Sequence, residues 1–261
     1  MNSIKTDSRK IKPGDTFIAI RNVNTDGHDF INQAILNGAT KIICEEGDFS
    51  VETEIVSDTR KYLNEYLYTH YYEKIKEMNL IGVTGTNGKT TICFLVYQML
   101  KKLGKNPAYI GTIGFYYQDV KKVLNNTTPD TDLLYEMLME AYEANCDTVV
   151  MEVSSHALDK DRIFGLEFDS VAFTNLTQDH LDYHKTMENY CNAKKKLFER
   201  TRKNKVAIIN GDDVYAKNFI FSNNENIIIS TENGNLLINQ MDFSHINTKI
   251  KFTYEDKTYE T

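Results

Sequence analysis

The residues that could do chemistry concentrate in Leu80–Leu100, LIGVTGTNGKTTICFLVYQML. A strand that ends in a glycine turn and runs straight into a helix aims backbone N–H groups at one point, and the helix N-terminus adds partial positive charge there. Gly85 and Gly88 permit the tight path, Lys89 can reach outer phosphates, and the Thr90 hydroxyl can bind Mg²⁺. The spacing G-x-x-G-K-T-T departs from the general phosphate-loop pattern. The stretch predicts a nucleoside triphosphate site, because the flanking strand and helix disfavour the alternative of a plain glycine turn with an exposed lysine.

Further candidate residues follow two other apolar runs. Glu152 is a single acid within DTVVMEV, where a buried unpaired charge is costly. A metal or cation partner would explain it, and a salt-bridged structural glutamate is the alternative. Asn175 ends SVAFTN, and His180 and His184 follow in HLDYH, a spacing that does not match the zinc motif HExxH. We expect one of these histidines to bind a metal or phosphate and the other to be a hydrogen-bonding residue.

The elements that must position these residues alternate between strands and helices from Leu80 onward. Continuous apolar strands that alternate with helices predict a mostly parallel sheet covered on both faces, with sites at the carboxyl ends of its strands. Residues 1–78 read as a small α/β domain, and residues 79–261 as a second domain whose tail from Asn226 is strand-like and polar. Thr91–Leu103 is predicted to be a helix with an apolar face formed by Ile92, Leu95, Val96, Met99, Leu100 and Leu103.

The composition is that of a soluble globular protein. The chain has 261 residues, 41% hydrophobic and 26% charged, with a net charge of −7. The acidic balance gives no indication of a nucleic-acid partner, and no run approaches the length of a membrane span. The cysteines form no CxxC pair, which argues against zinc and disulfides; they are Cys44, Cys93, Cys146 and Cys191. The polar N-terminus carries no signal-peptide pattern, so the expected location is the cytoplasm.

Four segments in order resemble the Mur ligase family, the ATP-dependent amide-bond ligases of peptidoglycan synthesis. VTGTNGKTT is similar to the family's ATP loop, MEVSSHAL and TNLTQDHLDYH to the branch that adds the third residue of the peptide, and DSRKIKPGDTFIAI to its uridine-nucleotide domain. The resemblance runs from Thr6 to Asp213. It implies a small N-terminal α/β domain for the uridine nucleotide and a central ATP-binding domain with a mostly parallel sheet.

The resemblance also implies reactants and residues. ATP and Mg²⁺ would be the cofactors, UDP-N-acetylmuramoyl-dipeptide and a diamino acid (diaminopimelate or lysine) the partners, and the protein a monomer. Lys89, Glu152, His180 and Lys194 would be catalytic. Mg²⁺ would be held by Thr90, Glu152, His180 and by Lys194 as a carbamate. The ATP-binding residues would be Gly85, Thr86, Asn87, Gly88, Lys89, Thr90, Thr91 and Asn175.

Substrate binding and Lys194 rest on the same resemblance. Spacing alone makes Lys194–Lys196 a solvated helix face, and that alternative stays open. Arg162 is a natural clamp for a carboxylate or phosphate. The substrate-binding residues would be Ser8, Val23, Asn24, Thr25, Thr127, Thr128, Ser154 and Arg162.

The length of the chain sets a further expectation. Family members carry a C-terminal domain that binds the incoming amino acid, whereas this sequence stops at TYEDKTYET. We therefore expect a fragment or truncated product that lacks the C-terminal domain, and the alternative to turnover is a chain that binds nucleotide and UDP-substrate only.

Overall fold

The computed structural model describes residues 4–21, 25–244 and 248–261. The chain folds into two compact units. One comprises Met1–Tyr72 with Thr131–Tyr135, and the other comprises Glu73–Asp130 with Glu136–Thr261. The predicted boundary between residues 78 and 79 stays a prediction.

The first unit contains a four-stranded parallel sheet in the order β1-β2-β3-β4. Its core is formed by apolar side chains of the central strands and of the short first helix, among them Phe17, Ile31 and Ile42. The strands are β1 Ile4–Lys5, β2 Thr16–Ile18, β3 Lys41–Cys44 and β4 Glu52–Ile55, and the helices are α1 Ile31–Leu36 and α2 Thr59–Ile75, whose last residues belong to the second unit. Single 3₁₀ turns lie at Ser8–Lys10 and Gly27–Phe30.

The second unit is built on an eleven-stranded sheet. Its strands are β5 Asn79–Thr84, β6 Pro107–Gly111, β7 Gly114–Tyr117, β8 Val120–Lys122, β9 Thr148–Glu152, β10 Phe168–Phe173, β11 Thr201–Asn210, β12 Glu225–Ser230, β13 Leu236–Phe243, β14 Thr248–Tyr254 and β15 Lys257–Glu260. Their order is β15-β14-β13-β12-β11-β10-β5-β9-β6-β7-β8. The helices are α3 Lys89–Lys102, α4 Thr131–Glu143, α5 Ser155–Asp159, α6 Leu181–His184 and α7 Met187–Glu199, and a 3₁₀ turn lies at Ala216–Phe219. The first residues of α4 belong to the first unit.

The predicted mostly parallel α/β fold is confirmed. Strands β6, β9, β5, β10, β11, β12 and β13 pair in parallel with one another. The pairs β13–β14 and β14–β15 at one margin, and β6–β7 and β7–β8 at the other, are antiparallel. In the centre Val83 pairs with Glu152 and Thr84 pairs with Phe173. The carboxyl ends of β9, β5 and β10 therefore meet at one edge of the sheet, where an open α/β sheet places its ligands.

The buried face of α3 differs from its apolar stripe. Cys93 and Tyr97 are the buried side chains of this helix, and they pack with Val83 and Tyr109 of the sheet. Leu95 and Met99, which the sequence places on the apolar face, are 56% and 63% exposed. The helix has apolar residues on more than one side, so its periodicity does not by itself identify the side that packs on the sheet.

The sequence argues against disulfide bonds and against a membrane-spanning segment. The four cysteines are buried free thiols. Among residues 4–21, 25–244 and 248–261, no helix combines the length and apolar character needed to cross a membrane.

Candidate functional site

The loop between β5 and α3 is held in shape by the residues that follow β10. Gly85 has a φ of +147°, and a Cβ atom there would overlap the Thr174 hydroxyl, so glycine is required. The Thr86 amide donates to the Asn175 carbonyl at 2.8 Å, and the Asn87 amide donates to the Asn175 side-chain oxygen at 3.0 Å. Asn175 thus contacts the loop directly, and its contacts in this structure fix the loop's backbone; its predicted role in ATP binding stays a prediction.

The first turn of α3 and the Lys89 ammonium add further N–H donors beside the loop. The first N–H groups of a helix have no acceptor within it and carry partial positive charge, so Lys89, Thr90 and Thr91 point such groups toward the loop mouth. Lys89 Nζ donates to the carbonyls of Gly85 and Thr86, both at 2.9 Å. Burial lowers the pKa of Lys89, and the negative charge of Glu152 opposes that shift. A compact cationic site of this kind suits an anion of phosphate size.

Glu152 ends β9 directly beside this loop, and its carboxylate is completely buried. Oε1 accepts from the Tyr109 hydroxyl at 2.5 Å and from the Thr112 amide at 2.9 Å. Oε2 accepts from the Thr90 hydroxyl at 2.8 Å and from the Thr112 hydroxyl at 3.1 Å. Four neutral hydrogen-bond donors therefore satisfy the carboxylate. None of these four contacts is a salt bridge, so they do not support the alternative of a salt-bridged structural glutamate. Burying a charge in this way is tolerable because each lone-pair direction meets a donor.

The oxygen atoms of Thr90 and Glu152 are of the kind that binds Mg²⁺. Magnesium prefers oxygen ligands, keeps several waters, and is commonly held by one or two protein oxygens together with substrate phosphates. The Thr90 hydroxyl and Glu152 Oε2 provide two such oxygens next to the loop. Within the described residues no group of three or more His, Cys, Asp or Glu side chains could hold a metal by itself. Water and the phosphate oxygens of a nucleotide are the ligands that would complete the shell of an ion held here.

Lys194 is buried, which contradicts the solvated helix face that spacing alone allows. The side chain is 1% exposed, and Nζ donates to the Gly85 carbonyl at 2.7 Å. Nζ also lies 4.4 Å from the centre of the Tyr190 ring. Burial, together with the neighbouring Lys89 charge, lowers the pKa of Lys194 to about 7. A buried amine that loses its proton near neutral pH is unusually reactive toward electrophiles.

The two histidines of HLDYH have different surroundings. His184 is buried, and its Nε2 lies 2.9 Å from the Ser155 hydroxyl. His180 lies at the surface in a left-handed conformation with a φ of +53°, and its ring is 6.0 Å from the Tyr190 ring that Lys194 covers. His180 is thus the histidine that is accessible beside the loop, and His184 is the hydrogen-bonding residue of the pair.

Four of the predicted substrate-binding residues lie together behind Glu152. The Thr128 hydroxyl donates to the Glu152 carbonyl at 2.9 Å and accepts from the Ser154 amide at 3.0 Å. Arg162 donates to the Thr128 carbonyl at 2.9 Å. The Thr127 hydroxyl lies 3.0 Å from that of Thr112, which contacts Glu152. A substrate held by these side chains would therefore lie next to the Glu152 carboxylate.

The other predicted substrate-binding residues belong to the first unit. Ser8 is buried at the start of a 3₁₀ turn, and Thr25 is exposed. Val23 and Asn24 lie outside the described residues.

Sequence reasoning missed Tyr109 and Thr112. Both belong to the run AYIGT, and they contact Glu152 only because β6 pairs with β9. Burial and the hydrogen bond to Glu152 raise the pKa of the Tyr109 phenol, so it stays a donor at neutral pH. The available signal was a tyrosine in an otherwise apolar strand, since buried tyrosines need a partner for their hydroxyl.

Two family descriptions match the chain. Residues 1–79 match the Mur ligase family catalytic domain, and residues 83–261 match the Mur ligase middle domain. Among curated relatives, the UDP-N-acetylmuramoyl-L-alanyl-D-glutamate–2,6-diaminopimelate ligase of Clostridium perfringens is 44% identical over 84% of this chain and 46% of its own length. The enzyme of that name from Aquifex aeolicus is 40% identical over 100% of this chain and 54% of its own length.

Solved structures agree with this. A structure of UDP-N-acetylmuramoyl-L-alanyl-D-glutamate–2,6-diaminopimelate ligase has a TM-score of 0.84 and 26% identity, and the match covers 100% of this chain and 55% of that one. The MurF ligase from Thermotoga maritima in complex with ADP shares the fold, with a TM-score of 0.70, 19% identity and coverage of 99% and 57%.

The chain thus spans about half the length of the curated relatives it matches. The middle-domain match alone covers well over half of its residues, and both matches follow the order of the sequence motifs. The chain belongs to the Mur ligase family.

Proposed function

We propose that this chain carries the nucleotide and UDP-substrate sites of an ATP-dependent ligase that adds the third amino acid to UDP-N-acetylmuramoyl-L-alanyl-D-glutamate in peptidoglycan synthesis. The observation that carries the proposal is the direct contact of the Thr90 hydroxyl at the phosphate loop with the buried Glu152 carboxylate, beside Thr128 and Ser154. The names of the curated relatives at 40% identity and above support the same reaction.

The reaction has two steps. An oxygen of the substrate's glutamyl carboxylate attacks the γ-phosphorus of ATP, ADP leaves, and an acyl phosphate forms. An amine nitrogen of the incoming amino acid then attacks the acyl carbon, inorganic phosphate leaves with the bridging oxygen, and the nitrogen loses a proton. Lys89 and the first-turn amides of α3 hold phosphate oxygens, whose charge would otherwise repel the approaching carboxylate.

Thr90 and Glu152 are the residues that hold Mg²⁺ in this proposal, and the bound ion neutralises phosphate charge and polarises the transferred group. The role of the chain is to keep one hydroxyl and one carboxylate oxygen 2.8 Å apart at the loop mouth. Because Glu152 is already hydrogen-bonded inside the protein, its orientation is set before any ligand arrives.

Lys194 and His180 form the second half of the metal proposal. Lys194 contacts a carbonyl and an aromatic ring. Its neutral amine adds to the carbon of CO₂ and loses a proton, which gives a carbamate anion able to hold a second Mg²⁺ together with His180. Incubation with ¹³C-bicarbonate should give a carbamate resonance that Lys194→Met lacks. A spectrum identical for both proteins would refute this role, and partial rescue of Lys194→Ala activity by short carboxylic acids would support it.

The substrate side of the proposal uses Thr127, Thr128, Ser154 and Arg162, together with Ser8, Val23, Asn24 and Thr25 of the first unit. Arg162 is well placed for an anionic group because a guanidinium has five donors. In this structure Nη1 donates to the Thr128 carbonyl, and the guanidinium forms an ion pair with Asp130, whose oxygen lies 2.8 Å from Nε. We infer a monomer that acts in the cytoplasm on a diamino acid, with diaminopimelate favoured over lysine by the relatives' names.

The second candidate function is binding of nucleotide and UDP-substrate without turnover. It is favoured by one observation, that the described residues offer contacts for both ligands, at the loop that holds Lys89 and at the cluster around Thr128.

Phosphate release by the 261-residue chain tests both candidates. ATP, Mg²⁺, UDP-N-acetylmuramoyl-L-alanyl-D-glutamate and either diaminopimelate or lysine are supplied, and each reactant is left out in turn. Release that requires the UDP-substrate and one amine supports the ligase and names the amine. Binding of both ligands without release supports the second candidate, and release that ignores the UDP-substrate contradicts both.

A further inference from the structure

The two oxygens of the Glu152 carboxylate have different partners. Oε1 is bound by the Tyr109 hydroxyl and the Thr112 amide, both fixed in position by β6 and the residue that follows it. Oε2 is bound by the hydroxyls of Thr90 and Thr112, which rotate about a single bond and are not fully buried. One oxygen is therefore anchored by the protein interior, and the other faces the loop.

Tyr109 is itself held rigidly. The side chain is completely buried. Its ring lies edge-on to Phe94 at 5.7 Å and to Tyr116 at 5.8 Å between centroids, and tilted against Tyr97 at 6.2 Å. Edge-to-face contacts of this kind favour one ring orientation, so the hydroxyl stays directed at Oε1.

The backbone is shaped to allow this contact. A Cβ atom at Gly111 would overlap Glu152 Oε1 and the Tyr109 hydroxyl, and it would come within 2.7 Å of Tyr109 Cζ. The tyrosine and the carboxylate can approach each other only because residue 111 has no side chain.

We propose that Tyr109 is a positioning residue that anchors Glu152 Oε1, so that Glu152 offers a metal ion one oxygen, Oε2, beside the Thr90 hydroxyl. The inference rests on the proposed function, in which a magnesium-bound nucleotide occupies this loop. Single-oxygen coordination suits Mg²⁺, which demands near-ideal octahedral geometry. The larger Ca²⁺ accepts both oxygens of a carboxylate and a higher coordination number. Tyr109 thereby makes the site selective for the smaller ion.

Tyr109→Phe tests this with the ring kept and the hydroxyl removed. A fluorescent ADP analogue is bound to the chain, and the Mg²⁺ and Ca²⁺ concentrations that give half-maximal metal-dependent binding are measured. We expect the Mg²⁺ value to rise about 10-fold, the usual effect of removing an outer-shell partner of a ligand. The Ca²⁺ value should stay unchanged or fall, because the freed carboxylate can then bind through both oxygens.

Two further variants make the test specific. Tyr116→Phe removes a hydroxyl of the same aromatic cluster that donates to the Ile113 carbonyl at 2.9 Å, and it should leave both metal values unchanged. Gly111→Ala adds a methyl group that overlaps both Oε1 and the Tyr109 hydroxyl, and it should shift the Mg²⁺ to Ca²⁺ preference as Tyr109→Phe does. If Tyr109→Phe changed the half-maximal Mg²⁺ and Ca²⁺ concentrations by the same factor, Tyr109 would be merely structural and the inference would be overturned. The same would follow if Tyr109→Phe lost the nucleotide binding that wild type retains in EDTA. Wild-type protein whose nucleotide binding ignores Mg²⁺ would instead overturn the proposed function.

Discussion

Because the Lys194 amine is buried, we expect this single residue to make the free energy of unfolding depend on pH. Its pKa falls from 10.5 to about 7 on folding. Between these values the unfolded chain binds more protons than the folded one, so the free energy of unfolding rises with pH. This stabilisation is complete above the unfolded pKa and is lost as the pH falls toward the folded pKa. A single group contributes about 1.4 kcal/mol per pH unit at most, which integrates to about 2 kcal/mol between about pH 7 and pH 9.

Lys194→Met removes the amine and keeps an unbranched side chain of similar length. The free energy of unfolding of wild type, minus that of this variant, should therefore rise by about 2 kcal/mol from about pH 7 to about pH 9. Titrations common to both proteins cancel in this difference. Urea unfolding followed by circular dichroism measures it, since the chain has no tryptophan for fluorescence. Buffers must be free of CO₂, which would react with the amine.

Lys195→Met is the matched control, the same change at the next position of α7, where the side chain is only partly buried. The pH dependence attributed to Lys194 is the change in free energy of unfolding seen with Lys194→Met minus the change seen with Lys195→Met. A difference between Lys194→Met and wild type that stays constant with pH would refute the argument, because it would mean that the amine keeps its charge when buried.

Three further perturbations test other parts of the site. Lys89→Ala should weaken binding of ADP at least 10-fold while circular dichroism stays unchanged, since a charge-assisted contact to phosphate is worth about 1.5–3 kcal/mol; wild-type affinity in calorimetry would overturn the loop assignment. Arg162→Lys should weaken the UDP-substrate without affecting ADP, because lysine cannot reproduce a guanidinium that contacts both Thr128 and Asp130; equal losses for both ligands would contradict this. Leu138→Ala, at a completely buried position of α4, should lower the free energy of unfolding by about 2–5 kcal/mol in urea titrations, and a change below about 1 kcal/mol would show that the core collapses around it.

The fold could be predicted largely because local signals and topology agree. The glycine turn after β5 and the apolar runs of β9 and β10 identify three parallel strands whose carboxyl ends carry polar residues. In a parallel sheet those ends lie at one edge, so the sequence places Glu152 on the same edge as Lys89 and Thr90. That Thr90 and Glu152 belong together is implied by the family resemblance. The family resemblance, carried by the loop and by HLDYH, is confirmed by the matches over residues 1–79 and 83–261.

The contacts that depend on strand order could not be predicted. Nothing in the sequence says that β6 pairs with β9, so the sequence does not reveal Tyr109 and Thr112 as hydrogen-bond donors to Glu152. The burial of Lys194 was equally hidden, because a run of three lysines on a helix is usually solvated. It depends on the packing of α7 against the loop between β5 and α3, where Lys194 contacts Gly85, a residue far away in the chain.

The exposed side of α3 shows the limit of periodicity. Apolar residues occur on several sides of this helix, and the aromatic cluster around Tyr109 selects the side with Cys93 and Tyr97. Leu95 and Met99 remain at the surface although they fit the predicted stripe equally well.

The central claim is that the loop from Gly85 to Thr91 binds a magnesium nucleotide with help from Glu152. Calorimetric titration of the 261-residue chain with ADP, in Mg²⁺ and again in EDTA, tests it most directly, with Glu152→Gln as the variant. We predict saturable binding that is strengthened by Mg²⁺ in wild type and insensitive to Mg²⁺ in the variant. Absence of binding to wild type, or an equal response to Mg²⁺ in both proteins, would contradict it.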